Sequence, residues 1–193
     1  MASTYAVNTG IELITTGEQS GTWGETTNTN LQIIDRALNG VGVIDLSGSG
    51  AAHTLTTSDG TLSDGMYPVL VLDGATEACT ITISPSDADK IYMVYNNSGF
   101  TCTITQGTGG DVTITNGDTK IIYADGGGAG AAVSDFTANL AMSSVNISGG
   151  AISGITDLAV ADGGTGASTV SGAQTNLQVD PAGTAVALAI ALG

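Results

Sequence analysis

Between Gly149 and Thr169 the chain reads GGAISGITDLAVADGGTGAST, a stretch with no Lys, Arg, His, Cys or aromatic residue. Four larger aliphatics, Ile152, Ile155, Leu158 and Val160, are nearly all it has to bury. Glycine loses more conformational freedom on folding than any other residue, and an independent sheet needs three or more strands with a buried face. Such a segment holds a shape only if its apolar surface is shared. Symmetric copies of one chain would meet that need, with the aliphatics gathered at a common axis and Thr, Ser and Asp facing water. Val145 and Ile147, just upstream, extend the same candidate axis.

The rest of the chain is also poor in large side chains. Of 193 residues 41% are hydrophobic but only 4% aromatic, and 29 are Gly. Aromatics bury about 150–250 Å² each, so a core of Ala, Val, Ile and Leu is thin for each chain. That composition favours an elongated shape or burial between chains. The apolar fraction is nonetheless too high for a disordered chain, which combines low hydrophobicity with high charge.

Charge excludes several functions. Arg36, Lys90 and Lys120 face eighteen acidic residues, for a formal net charge of −15. Nucleic-acid binding requires clustered cations to neutralise phosphates, and an anionic membrane repels this balance. No partner of either kind is expected. Self-repulsion favours a dispersed, soluble protein; screening in saline water is a second reading of the same charge. The N-terminus lacks a basic stretch followed by an apolar core, so it does not read as a secretory signal. No run approaches the ~20 apolar residues of a membrane span, and the closing AVALAIALG is far shorter. Synthesis in a cytoplasm without membrane insertion is expected.

Three folded units and a linker are expected. In residues 1–40, Leu31, Ile34 and Leu38 fall on one helical face. The Thr/Asn run before them offers N-caps and Gly40 a stop. A helix this short is marginal alone in water, so its stripe must dock on something. Trp23, the sole Trp, either covers that stripe or anchors in a partner's pocket, a role for which Trp is enriched. Trp23, Leu31, Ile34 and Leu38 are the candidate partner-docking residues.

Residues 41–125 read as all β, a sandwich or barrel-like domain. The segments VGVIDLSG, AHTLTTS, MYPVLVLDG, ACTITIS, KIYMVYNN, FTCTITQG, DVTITNG and TKIIYADG are short and bounded by turn residues. In CTITI, period-two alternation places Cys79, Ile81 and Ile83 on one face and Thr80 and Thr82 on the other. Cys102 and Ile104 repeat the pattern, as do Val112 and Ile114. The two cysteines therefore read as small core residues on equivalent strand positions, with a disulfide as the less favoured alternative. Residues 126–135 read as a Gly-rich linker, and 136–193 as the shared-axis unit, with a short helix in ASTVSGAQTNL capped by Ser168 or Thr169.

Two stretches carry a resemblance. GIELITTGEQSGTWGETTNTNLQIIDRAL resembles an N-terminal segment common in tail-fibre and related virion proteins of marine and cyanobacterial phages. AISGITDLAVADGGTGASTVSGAQTNL is similar to a fibre-shaft module, matched at Gly163, Gly164, Thr165, Gly166, Ala167, Gly172, Ala173, Thr175, Asn176 and Leu177. It departs at Gln174, where many relatives carry Arg, and at Gln178, where Gly is common. The resemblance covers roughly a third of the chain. It implies a bacteriophage tail fibre: a mainly β, elongated homotrimer in the virion, assembled in the host cytoplasm. By the same resemblance, the 1–40 segment attaches to a tail adaptor, nozzle or baseplate protein, and the distal end meets a host surface receptor. With only AVALAIALG at its end, either the fibre is short or a receptor tip lies beyond residue 193; the second is preferred.

Other classes fare less well. A capsid decoration or head fibre would need the same solubility and β-structure. A glycan-degrading tailspike needs paired carboxylates in a cleft, whereas Asp59, Asp64, Asp87 and Asp89 stand in turn contexts such as SDGTLSDG, where Asx side chains bond their own backbone. His53 has no neighbouring GxSxG motif, EF-hand spacing is absent and GGTG lacks the lysine of a phosphate loop. A bacterial surface adhesin would need a signal peptide. No catalytic, metal or cofactor residue is assigned.

Overall fold

A computed structural model of the chain describes residues 2–138, 164–179 and 184–192. Val145, Ile147, Ile152, Ile155, Leu158 and Val160, the expected axial residues, lie outside the described residues. Two compact units divide at residue 141, and the larger one is mainly β.

Each expected strand segment forms a strand, because each is a short run rich in β-branched, aliphatic or aromatic residues bounded by turn formers. They are β3 (Val41–Asp45), β4 (Ala52–Thr56), β5 (Val69–Asp73), β6 (Cys79–Ser84), β7 (Asp89–Asn97), β8 (Cys102–Thr105), β9 (Val112–Ile114) and β10 (Thr119–Asp125). A further strand, β11 (Val133–Asp135), follows, and a small hairpin of β1 (Thr4–Tyr5) and β2 (Glu12–Leu13) precedes. The two main sheets run β11-β10-β7-β5-β3 and β4-β6-β8-β9.

The expected sandwich is present, but its winding differs from a hairpin-built one. From β3 to β8 the chain places strands alternately in the two sheets, and each new strand lies parallel to the one before it in its sheet. Three successive windings therefore stack like the coils of a solenoid, in which each repeat contacts its neighbours. Antiparallel β9 and β10 then close the stack on β8 and β7. Cys79 and Cys102 stand opposite each other in the parallel register, both buried and both free thiols.

Between the sheets lies one continuous core of inward side chains, among them Leu70, Leu72, Ile81, Val94, Ile104 and Ile122. Two buried amides tie its ends. Asn96 donates to the carbonyls of Phe100 and Ile114, both at 2.8 Å, and accepts from the Ser98 hydroxyl at 2.7 Å. Gln106 donates to Ala88 O at 2.7 Å and accepts from Gly126 N at 3.0 Å. These bonds satisfy carbonyls where strands give way to turns, which a buried site requires.

The linker reading of 126–135 is corrected. A 3-10 turn at Gly128–Gly130 leads into β11, which pairs with β10. Thr108 N donates to Ala129 O, Gly109 N to Ala131 O, and Val133 N to Gly110 O. Glycine serves close approach here: a Cβ on Gly107 would stand 2.8 Å from the Ala131 nitrogen. Ala131 and Val133 are buried, so the run belongs to the β unit.

In the second unit, α2 (Val170–Asn176) and α3 (Thr184–Leu192) are described. Thr169 caps α2 by accepting from Gly172 N at 3.2 Å, as the sequence indicated. Among the described residues no helix is long and apolar enough to cross a membrane.

Asn96→Ala should lower stability by about 2–4 kcal/mol, because it removes the amide's bonds to the Phe100 and Ile114 carbonyls and to the Ser98 hydroxyl and opens a small cavity. Urea unfolding followed by circular dichroism checks this.

Candidate assembly surfaces

The N-terminal helix, α1 (Trp23–Asn39), begins two turns earlier than its sequence suggested. The Thr/Asn run read as caps lies inside it, because those polar side chains find partners in the preceding segment. Asn30 clasps the Glu12 backbone, accepting from its N–H at 3.0 Å and donating to its carbonyl at 2.9 Å. Thr26 donates to the Gln19 side chain at 2.9 Å. Farther along, Arg36 donates to Ser63 O at 3.0 Å and lies over the Tyr67 ring at 4.6 Å. That ring sits against Gly42 of β3, where a Cβ would come within 2.4 Å of it. Only Ile33 of the helix is buried.

The helix is thus held by Asn30, Thr26 and Arg36 together with the buried Ile33, and the expected apolar stripe points away. Trp23, Leu31, Ile34 and Leu38 are 62%, 57%, 39% and 70% exposed. Nothing in the described chain covers the stripe that the sequence required to be covered. Trp23 stands in the first helical turn, so its role as a cover for the stripe is not realised.

A second apolar surface was missed by the sequence reading. The outer face of the five-stranded sheet carries rows of aligned side chains. Val41, Val69, Met93 and Ile121 form one row, and Val43, Val71 and Tyr95 the next. Ile91 and Tyr123 pair beyond them, and Phe136 meets the Tyr123 ring edge-on at 6.0 Å. Ile91, Ile121, Phe136 and Thr137 line an apolar hollow of about 340 Å³. The opposite sheet differs sharply: Thr54, Thr82 and Thr105 align across its outer face, as do Thr80, Thr103 and Thr113. Period-two alternation was visible in both sets. The missed signal was that β3, β5 and β7 carry aliphatics at outward as well as inward positions.

The edge of the apolar face is pinned electrostatically. Lys120 Nζ meets Asp135 at 2.8 Å, and Thr137 donates to the same carboxylate through its N–H at 2.8 Å and its hydroxyl. Burial raises the Asp135 pKa, but these donors and the Lys120 charge outweigh it and hold the carboxyl at about 2.

Of the carboxylates considered for glycan cleavage, Asp64 bonds the backbone and a histidine. Asp64 Oδ1 accepts from Thr56 N at 2.8 Å, and its Oδ2 lies 3.1 Å from His53 Nε2. His53 Nδ1 in turn lies 3.1 Å from the Ser49 hydroxyl. Ser49, His53 and Asp64 form a chain that the sequence did not disclose. Its polarity is the reverse of a hydrolase relay, where Nε2 faces the nucleophile and Nδ1 the carboxylate. The chain instead braces the Ser49 turn and β4 against the turn at Asp64–Met66. Among the described residues no group of His, Cys, Asp and Glu could hold a metal ion.

In the second unit the residues of the GGTGAST module hold one another. Asn176 Nδ2 donates to the carbonyls of Thr165 and Gly166 at 2.9 and 3.0 Å, and Gly166 adopts a positive φ of 63°. Gln178 adopts a φ of 54°, a conformation in which glycine is the easier residue.

Acid should loosen the Phe136 edge. Asp135 has a folded pKa below its unfolded one, so its stabilisation is present above about pH 4 and lost as pH falls towards 2. Hydrogen-exchange protection of the Val133 and Phe136 amides should drop over that range, and Asp135→Asn should show the lower protection already at neutral pH.

Comparison with models of known families, with characterised proteins and with solved structures finds nothing that matches this chain.

Proposed function

We propose that the chain is a structural subunit of a bacteriophage tail fibre, an elongated homotrimer whose task is attachment and adhesion rather than catalysis. The observation that carries this reading is the reversed mounting of α1. A helix fixed through Asn30, Thr26 and Arg36 turns Trp23, Leu31, Ile34 and Leu38 outward. Exposing an apolar stripe costs solubility unless a partner covers it, and Trp is enriched among the residues that dominate binding energy. The resemblance of this segment to fibre N-termini gives that partner a class, a tail adaptor, nozzle or baseplate protein. The trimer is proposed to close around Val145, Ile147, Ile152, Ile155, Leu158 and Val160. A host receptor is met farther out, through a region distal to these residues. Assembly takes place in the host cytoplasm and the mature location is the virion tail.

The main alternative within virions, a head fibre or capsid decoration, shares the same outward stripe and differs in what it docks on.

Leu31→Asp with Leu38→Asp should leave the fold intact, because both side chains face solvent, yet exclude the protein from particles. Complementation of a phage lacking the protein, followed by blotting of purified virions and of separated tails and heads, checks this. Incorporation of the double variant at the unmodified level contradicts the reading. Recovery of the unmodified protein with heads alone favours the head-fibre alternative.

A further inference from the structure

The outer face of the five-stranded sheet carries a second contiguous apolar surface, to which the proposed function gives no role. Val41, Val43, Ile91, Met93, Tyr95, Ile121 and Phe136 are between 37% and 66% exposed. Val, Ile and Met side chains are smaller than the ~150–250 Å² aromatics, so these fractions leave on the order of 500 Å² of apolar surface, towards the upper end of the largest patch on an ordinary monomer, ~300–600 Å². The half-buried Val69, Val71 and Tyr123 lie beside it.

The charge layout indicates what covers it. Asp45, Asp73 and Asn97 align in a row at one end of the face, and Asp89 pairs with Asp125 at the other. Three apolar rows lie between, so the order along the strands is acidic, apolar, apolar, apolar, acidic. The outward positions of β3, β5, β7 and β10 hold no Lys or Arg. A surface whose layout reads the same from both ends can meet its own copy with apolar rows in contact and both acidic rows left in water. Self-complementarity of that kind is what a two-fold contact between identical subunits requires.

We infer that the outer face of the five-stranded sheet is a contact surface for a second copy of this chain. This contact is two-fold, separate from the three-fold axis of the proposed function, and is made by the β unit itself between chains of different trimers. Acidic rows brought together at the rim repel, so added salt strengthens the contact by screening. A foreign partner with a basic rim would respond in the opposite direction.

Sedimentation equilibrium of the full-length chain tests this, using the Val43→Asp/Ile91→Asp pair, Ile155→Asp, the three changes combined, and Thr80→Asp as a control on the Thr-lined face. Val43 and Ile91 are the most exposed residues of the band, and circular dichroism verifies that each variant folds; Val43→Ser/Ile91→Ser replaces the Asp pair if it does not. Expected is self-association that the face pair weakens by at least ~tenfold, alone or in the Ile155→Asp background. Thr80→Asp should leave association unchanged, and about 1 M salt should strengthen it. Association unaffected by the face pair in both backgrounds overturns the inference, as does weakening by salt. The fibre reading fails separately, if Ile155→Asp leaves assembly unchanged; a monomeric unmodified chain contradicts both.

Discussion

Two sheets of short strands trap a layer of small aliphatic side chains, and the rest of the molecule depends on that layer. With so few aromatics, the core is assembled mostly from Leu, Ile and Val, with a single buried tyrosine, Tyr92, and two cysteines held in parallel register. Parallel winding lets each turn of the chain add one inward row to each sheet. Asn96 and Gln106 then satisfy the carbonyls that the turns leave inside. Because these contacts fix the strands, they also fix which side chains point outward, and outward is where this chain is unusual.

Its two outer faces have opposite chemistries. Threonine rows present hydroxyls to water on one sheet, while Val, Ile, Met, Tyr and Phe occupy the other. The helix repeats the theme, anchored by polar side chains with its apolar stripe turned away. A net charge of −15 opposes unspecific clustering of such surfaces through self-repulsion. Under the proposed function and the inferred sheet contact both surfaces are met by partners, and the part-buried Ser49–His53–Asp64 chain ties the Ser49 turn to the turn at Asp64.

Strand positions were legible because alternation at Cys79–Ile83 or Val112–Ile114 records which side chains are buried. Strand partners were not, since alternation is the same for parallel and antiparallel neighbours. The matching CTITI and CTITQ contexts were the one available hint, and the two cysteines do stand side by side. The start of α1 was misjudged because Thr26 and Asn30 look like caps until Gln19 and Glu12 supply their hydrogen bonds from a distance. The run 126–135 looked like a linker because composition cannot distinguish glycine that frees a chain from glycine that admits another backbone, as Gly107 does for Ala131. Leu31, Ile34 and Leu38 share a helical face as their spacing indicated, with Trp23 in the same helix rather than upstream of it, but the direction of that face depends on contacts far away in sequence.

The central claim is that the outward apolar surfaces are covered when the protein assembles. Hydroxyl-radical footprinting reports it directly, by comparing side-chain labelling in the dilute chain with that in assembled particles. Labelling of Trp23, Leu38, Met93, Tyr95 and Phe136 should fall on assembly, while Thr80 and Thr103 on the opposite sheet should label equally in both. Unchanged labelling of the helix stripe and the apolar sheet face in the assembled form would contradict the account.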